Sequence, residues 1–440
     1  MSNIAKKLMG ISSAGASGES YWINLLGGTG SDVAYGVAVD SSDNIIMVGS
    51  TTSDGAGNED FLIAKYTPSG TLLWDKTLGG AASDVGIAVA IDSSDNIVVL
   101  GYTASDGVGA NDFLIAKYTP SGTLLWDKTL GTSGADAAFG VAIDSSDNIV
   151  VVGYSILSFV ANLIVAKYDP SGTPLWDRTL RGTNADVALG VTTDSSDNIL
   201  IVGYTQSDGA GSQDLLLAKY DPSGTLLWDR TLGGTLSEIG RGVAIDSSGN
   251  IVVVGQVQSD GAGGLDFLIA KYNPSGTLLW DKTLGNAGTQ NAQAVVIDSS
   301  DNIIVVGYYE ITVNVNSNII VAKYNSSGTL LWDKTLGGIG IDFGQGVTID
   351  SSDNIIVAGS TTSNGSGLRD CLVAKLPPDG SGDGVYGGFT YQDAIFIDAD
   401  AVLTSADAVL TSSGVSLTNA DAVLTSADAV LTSEFFEITP

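Results

Sequence analysis

The chain has 440 residues; 18 Lys and Arg stand against 49 Asp and Glu, giving a net charge of −31, with no histidine and one cysteine. That balance excludes a nucleic-acid or anionic-membrane footprint, which needs positive charge. The lack of histidine removes every His-based triad, base or metal site, and Cys371 alone builds neither a disulfide framework nor a Cys-rich metal centre.

Hydrophobic residues make up 44% of the chain and charged ones 15%, a composition that buries a core. No apolar stretch approaches the ~18 residues of a membrane span. Residues 1–20 read as an N-terminal extension. The Lys6-Lys7 pair is followed by no apolar run of secretory length, so folding is expected to finish in the cytosol.

From Tyr21 the chain reads as β structure. Asp-Ser-Ser-(Asp/Gly)-Asn opens at Asp40, Asp92, Asp144, Asp194, Asp246, Asp298 and Asp350, in steps of 52, 52, 50, 52, 52 and 52 residues. A fixed period of this length marks a solenoid, propeller or array. In the first unit, Val33–Val39 alternates as a strand with small residues. Asp40–Asn44 is a turn of residues that satisfy their own backbone. Ile45–Val48 is an apolar run suited to burial on both faces. A Gly-rich loop leads to Phe61–Tyr66, then a Thr-Pro-Ser-Gly turn, then Leu72–Leu78. Helical periodicity is absent. Four strands per unit predict a propeller blade.

The seventh unit lacks its tryptophan strand: Gly384 stands where Trp is expected after Lys375. Tyr21-Trp22-Ile-Asn-Leu-Leu-Gly-Gly28 matches that strand, and Trp22 keeps the same 18-residue spacing to Asp40 that Trp74 keeps to Asp92. The N-terminus is therefore expected to complete the last blade, with Trp22 at the closure. Closure removes an open sheet edge. The all-β disc spans residues 21–388.

Beyond it a heptad takes over at Asp400-Ala-Val-Leu-Thr-Ser-Ala406, recurs from Asp407, varies at Gly414–Ala420 and returns at Asp421 and Asp428. Period seven suggests a coiled coil, but adjacent Val and Leu with Thr and Ser are poor helix formers. Strand, helix and disorder all stay open. Residues 389–440 are read as an attachment or oligomerisation arm, with Val402, Leu403, Val409, Leu410, Val423, Leu424, Val430, Leu431, Phe435 and Phe436 as its apolar contacts.

Gly36–Ile45 and Leu62–Trp74 resemble the bacterial seven-bladed β-propeller repeat family and, more loosely, NHL repeats, over residues 21–388. The resemblance implies a fold and little about activity. Ile4–Gly10 resembles the start of aquatic tailed-phage virion proteins.

Candidate chemistry is sparse. The blade tryptophans read as packing residues. The strand lysines (Lys65 and its six counterparts) need buried partners, expected in the Trp-Asp aspartates such as Asp75. The Asp-Ser-Ser-Asp-Asn turns lack the alternating carboxylates of a calcium loop, so neither metal nor cofactor is expected. No place breaks the symmetry with a catalytic constellation, so an enzyme is not expected. Binding is expected on the variable face of second-to-third-strand loops. Asp54, Asp106, Asp208 and Asp260 recur there in Ser-Asp-Gly loops, while blades three and six present Phe159 and Tyr309 instead.

The expected function is a non-enzymatic structural or interaction protein of a tailed-phage virion: a fibre, decoration or receptor-binding component. Its expected partners are other virion or filament subunits, copies of itself, and a host surface glycan or protein, with no nucleic acid and no membrane insertion. The alternatives are a bacterial extracellular filament or cell-surface protein, and a carbohydrate-active enzyme.

Overall fold

The computed structural model describes residues 20–312, 316–408, 410–413, 418–421, 425–427 and 431–438. No helix occurs among them, and none is therefore long and apolar enough to cross a membrane.

Seven sheets form a ring. Blade 1 runs through Asp32–Val39, Ile45–Thr51, Asp60–Tyr66 and Leu72–Gly79, each strand antiparallel to the one before. Blades 2 to 6 repeat this order. Blade 7 takes its first three strands from Asp342–Ile349, Ile355–Thr361 and Asp370–Leu376. Its fourth is Tyr21–Gly27, paired antiparallel with Asp370–Leu376 so that Trp22 faces Lys375 and Leu26 faces Cys371. Trp22 is fully buried, and its indole N–H donates to Pro68 O of blade 1.

The core lies between the blades. Ile46, Val48, Phe61 and Ile63 of blade 1 form one cluster with Ile97, Val99, Leu114 and Tyr118 of blade 2, and equivalent layers fill the other interfaces. The two middle strands of a blade are covered on both faces, which explains their uninterrupted apolar runs. Each fully buried side chain contributes roughly 1.5–3 kcal/mol before chain entropy is counted.

The turns at the opposite end from the variable loops stitch the blades together. Ser41 donates from its backbone N–H and its hydroxyl to the two oxygens of Asp95, at 2.9 and 2.6 Å. The same clamp joins Ser93 to Asp147, Ser145 to Asp197, Ser247 to Asp301 and Ser299 to Asp353, and Ser351 to Asp43 across the ring closure. These aspartates sit at φ near +60°, each the last residue of a turn that its own N–H closes onto the first aspartate, where the chain curls left-handed to re-enter the next strand. Between blades 4 and 5 Gly249 replaces the aspartate.

The lysine partner differs from expectation. Lys65 pairs with Asp40 at 2.8 Å, and the other six lysines pair with the first aspartate of their own turn at 2.7–2.9 Å. The register explains it. Lys65 lies opposite Trp74, so Asp75, one residue on, projects to the other face of the sheet. Lys65 also donates to Pro120 O of the next blade at 3.0 Å.

The expected separate arm is corrected by the strand pairing. Gly384–Tyr386 and Phe389–Asp393 form a hairpin on the outer edge of blade 6. Ile397–Asp400 then pairs with blade 5, Thr404–Asp407 with blade 4, Thr411–Ser413 with blade 3, Thr418–Asp421 with blade 2 and Thr425–Ala427 with blade 1. Thr432–Ile438 ends on blade 7 against Tyr21–Gly27. The tail is thus a belt that adds a strand to every blade, one blade per heptad, running around the ring in the opposite sense to the blades. Two physical causes act together. Each fourth strand leaves a row of backbone N–H and C=O groups unpaired, and a covalently attached strand meets them at high effective concentration. Sheet twist of roughly 20–25° per strand turns a fifth strand about 80–100° from the first. It therefore runs along the circumference, and a short connection reaches the next blade.

Candidate functional face and belt

The belt is specified by charge and by a leucine. Heptad Asp407 meets Arg230 at 2.7 Å, Asp393 meets Lys334 at 2.5 Å, Asp400 pairs with Lys282, and Asp421 stands opposite Lys128 in the ladder. In the variant heptad Gly414 replaces the aspartate. Phe396, Leu403, Leu410 and Leu431, spaced by multiples of seven, pack partly buried against the interblade cores.

Beneath the belt lie the Trp-Asp aspartates. Burial pushes the Asp229 and Asp281 carboxyls up to about 6, against hydrogen bonds that include the backbone N–H of Leu410 for Asp229 and of Leu403 for Asp281. Burial raises Asp333 in the same way, opposed by the Phe396 N–H. By contrast, burial of Asp40 is outweighed by hydrogen bonds from Lys65 and Asn44, which hold its carboxyl below the usual range.

Of the expected arm contacts, Val402 is exposed, while Leu403, Leu410 and Leu431 are partly buried on the rim. Phe435 and Phe436 lie in the last belt strand, opposite Asn24 and Ile23. Val409, Val423, Leu424 and Val430 lie outside the described residues.

The loop-face aspartates are turn formers. Asp54, Asp106, Asp208 and Asp260 each accept the N–H of the following glycine at 2.7–2.8 Å. Asp260 also accepts the Val402 N–H at 2.5 Å, tying loop to belt. Asp32 braces the same loop in blade 1, accepting from Gly28 N and the Ser53 hydroxyl at 2.8 and 2.7 Å.

Blades 3 and 6 replace this loop with longer hairpins. Ile149–Leu157 and Val160–Tyr168 are joined by Ser158 and Phe159 alone, both at positive φ (53° and 69°). Positive φ at both central residues is the type I′ signature, usually met by Asn and Gly. Here it leaves the Phe159 ring fully exposed. In blade 6 the strands Ile303–Thr312 and Asn316–Tyr324 flank a tip, residues 313–315, that lies outside the described residues. Tyr309 is half-buried, edge-on to Phe396 of the belt at 5.3 Å, so it packs inward rather than matching Phe159. Ile339 and Leu368, on the connections of blades 6 and 7, are exposed at 91% and 77%. Neither stood out in the sequence, because Ile339 sits between two glycines and Leu368 between Gly367 and Arg369, each a lone apolar residue in a loop.

A second variable feature lies on the innermost strands. Every first strand carries a bulge, the ladder skipping one residue between Ala34 and Gly36, Gly240 and Gly242, and their counterparts. The skipped residues are Tyr35, Ile87, Phe139, Leu189, Arg241, Gln293 and Gln345, while those flanking them are only Gly or Ala. A bulge re-aims one side chain, and the small flanks let adjacent inner strands approach. A Cβ on Gly36 would lie 2.8 Å from Ile87 O, and one on Gly190 2.5 Å from Arg241 O. The signal was in the sequence: one variable residue inside an otherwise repeated strand. Around this ring Tyr308 packs tilted against Phe343 (4.3 Å between centroids), Phe139 tilted against Tyr154 (5.9 Å), and Arg369 lies over Phe343 (5.3 Å). No group of three or more acidic or thiol side chains placed to hold a metal occurs among the described residues.

The architecture defines a seven-bladed β-propeller built from sequence repeats. A family model described as a domain of unknown function, DUF5122, beta-propeller, matches four of those repeats, at residues 41–72, 195–226, 247–278 and 299–330. An uncharacterized WD repeat-containing protein of Acanthamoeba polyphaga mimivirus is 24% identical over 439 residues, matching 78% of this chain and 30% of its own length. The regulatory protein FlaEY of Caulobacter vibrioides is 30% identical over 105 residues, 21% of this chain and 11% of its own. The chain thus spans under a third of either relative. Among solved structures, an inactive virginiamycin B lyase from Staphylococcus aureus aligns with TM-score 0.44 at 11% identity, covering 81% of this chain and all of its own. Polysaccharide lyase Uly1 aligns with TM-score 0.46 at 11% identity, covering 80% and 90%.

Proposed function

We propose that the chain is a non-enzymatic interaction scaffold and a structural component of a tailed-phage virion, acting as a fibre, decoration or receptor-binding protein. The observation that carries the interaction reading is the asymmetry of the two faces. One face repeats the same serine–aspartate clamp at six of seven interfaces, while the other carries Phe159 fully exposed on a hairpin that no neighbouring blade shares. Exposed apolar groups on a rigid frame suit protein or glycan contact. Relatives named for WD repeats and for regulation favour binding over turnover. The virion assignment rests on the N-terminal resemblance and is favoured by a viral relative.

The test has two arms. Antibody raised against the disc should label intact phage particles in electron microscopy. Replacing residues 155–160 with the Ser-Asp-Gly-Ala-Gly loop of the other blades should leave the melting temperature within a few degrees and abolish partner capture. Label on bacterial surface filaments would favour the second reading, a filament or cell-surface protein. Cleavage of a polysaccharide by the purified chain would overturn the non-enzymatic one.

A further inference from the structure

Among the described residues, Arg241 is a cation without an acid. It is the bulged residue of the innermost strand of blade 5. Among the described residues its buried Nε has no hydrogen-bond partner, and its Nη2 donates to the amide oxygen of Gln256, at 3.3 Å. The nearest acid in sequence is spent elsewhere: Glu238 accepts from Gly234 N at 2.7 Å and from Ser259 N at 2.9 Å. Burial holds the Arg241 guanidinium below its ordinary range, and the Tyr308 and Tyr204 phenols act against that shift. A shielded arginine with no acid paired to it among the described residues, in a chain of net charge −31, favours an anion beside it.

The surroundings restrict which anion. The planar fork of Arg matches a carboxylate through two parallel hydrogen bonds. Tyr204 and Tyr308, both half-buried, stand on either side in blades 4 and 6. Together with Gln256, they offer ring faces, hydroxyls and an amide, the groups that meet a hydroxyl-rich, partly apolar molecule. The acidic field of the disc opposes a dianion such as phosphate, or any polyanion, more strongly than a single negative charge. We propose that the channel on the loop side of blades 4 to 6 binds a carboxylate-bearing sugar, with Arg241 gripping the carboxylate and Tyr204 and Tyr308 flanking the ring. This site uses none of the loop residues invoked above, so its failure would leave the interaction reading standing.

Ligand-observed NMR on the full chain, at physiological salt and pH 7, tests it with glucuronate, glucose and acetate as probes. Glucuronate should give saturation transfer and bind at least tenfold more tightly than either glucose or acetate. Arg241→Gln should lose that preference, Arg241→Lys should retain part of it, and Arg181→Gln, an exposed cation on the same face, should change nothing. Equal binding of glucose, equal competition by acetate, no glucuronate binding, or an equal loss in Arg181→Gln would each overturn the proposal. Should Arg241→Gln fail to fold, protection of Arg241 from phenylglyoxal by glucuronate but not glucose, read by mass spectrometry on the unaltered chain, decides the same point.

Discussion

Lys65 and its six counterparts each place an ammonium among fully covered strands, so the neutrality of the interior rests on Asp40 and its equivalents. Removing one partner strands a buried charge. Lys271→Met is expected to cost about 3 kcal/mol, with Asp246→Asn recovering part of it in the double variant; denaturant midpoints at pH 7 measure both. A loss under 1 kcal/mol would mean that Asp246 is served by Asn250 and Ser248 alone. The missing clamp offers the opposite test. A Cβ on Gly249 meets only Pro274 Cγ, at 3.5 Å, and the backbone there already has φ +79°. The aspartate counterparts hold φ of 59–62° at the same place, so Gly249→Asp should reach Ser195 as they reach theirs, its added hydrogen bonds outweighing the cost of a left-handed side chain and stabilising the disc by about 0.5–1 kcal/mol; a lower melting temperature would show that blades 4 and 5 are not spaced as the others are. The pairing of Lys65 was misread in the sequence because Asp75 is near in the hairpin. Facing is set by ladder register, which a hairpin loop of unknown bulge content does not disclose.

At the scale of elements, the belt joins heptads to blades. Its period was plain in the sequence, but its meaning was not, since seven residues describe two turns of helix and also one strand plus one connection. The clue lay in complementarity: an aspartate in every heptad but the variant one, and a Lys or Arg just after Trp-Asp in six of the seven blades. The belt also governs pH response. The Asp229, Asp281 and Asp333 carboxyls are raised in the folded state, so the native disc binds protons there that the unfolded chain, with aspartates near 3.9, does not. Protonation of Asp229 and Asp281 stabilises the fold as pH falls from 7 through about 6, Asp333 acts in the same direction, and the advantage ends near the unfolded value. The turn aspartates act with the other sign. Asp40 and its counterparts are lowered, so their contribution is present above about 3.9 and is lost below it. The melting temperature should thus rise on acidification from pH 7 to about 5 and collapse below about 3.5. Asp229→Asn combined with Asp281→Asn should flatten the upper part of that curve, as read by circular dichroism. A steady fall from pH 7 to 5 would contradict the burial of these groups under the belt.

At the scale of the molecule, the ring is closed twice, once by Tyr21–Gly27 within blade 7 and again by Thr432–Ile438 laid outside it. The first closure was legible, because the repeat counted a strand short at one end and a strand over at the other. The second was not, because nothing local marks a partner 300 or more residues away. Removing residues 389–440 should uncover the outer edges of all seven blades, lowering the melting temperature and promoting aggregation, rather than releasing an inert disc; sedimentation and thermal scans of the truncated chain report it. Hydrogen exchange on the full chain probes the double closure most directly. The account predicts that amides of residues 21–27, held between two strands, exchange as slowly as those of Ile199–Thr205 in the uninterrupted blade 4. Exchange of residues 21–27 at the rate of the Gly-rich loops, with blade 4 protected, would show that the ring is open.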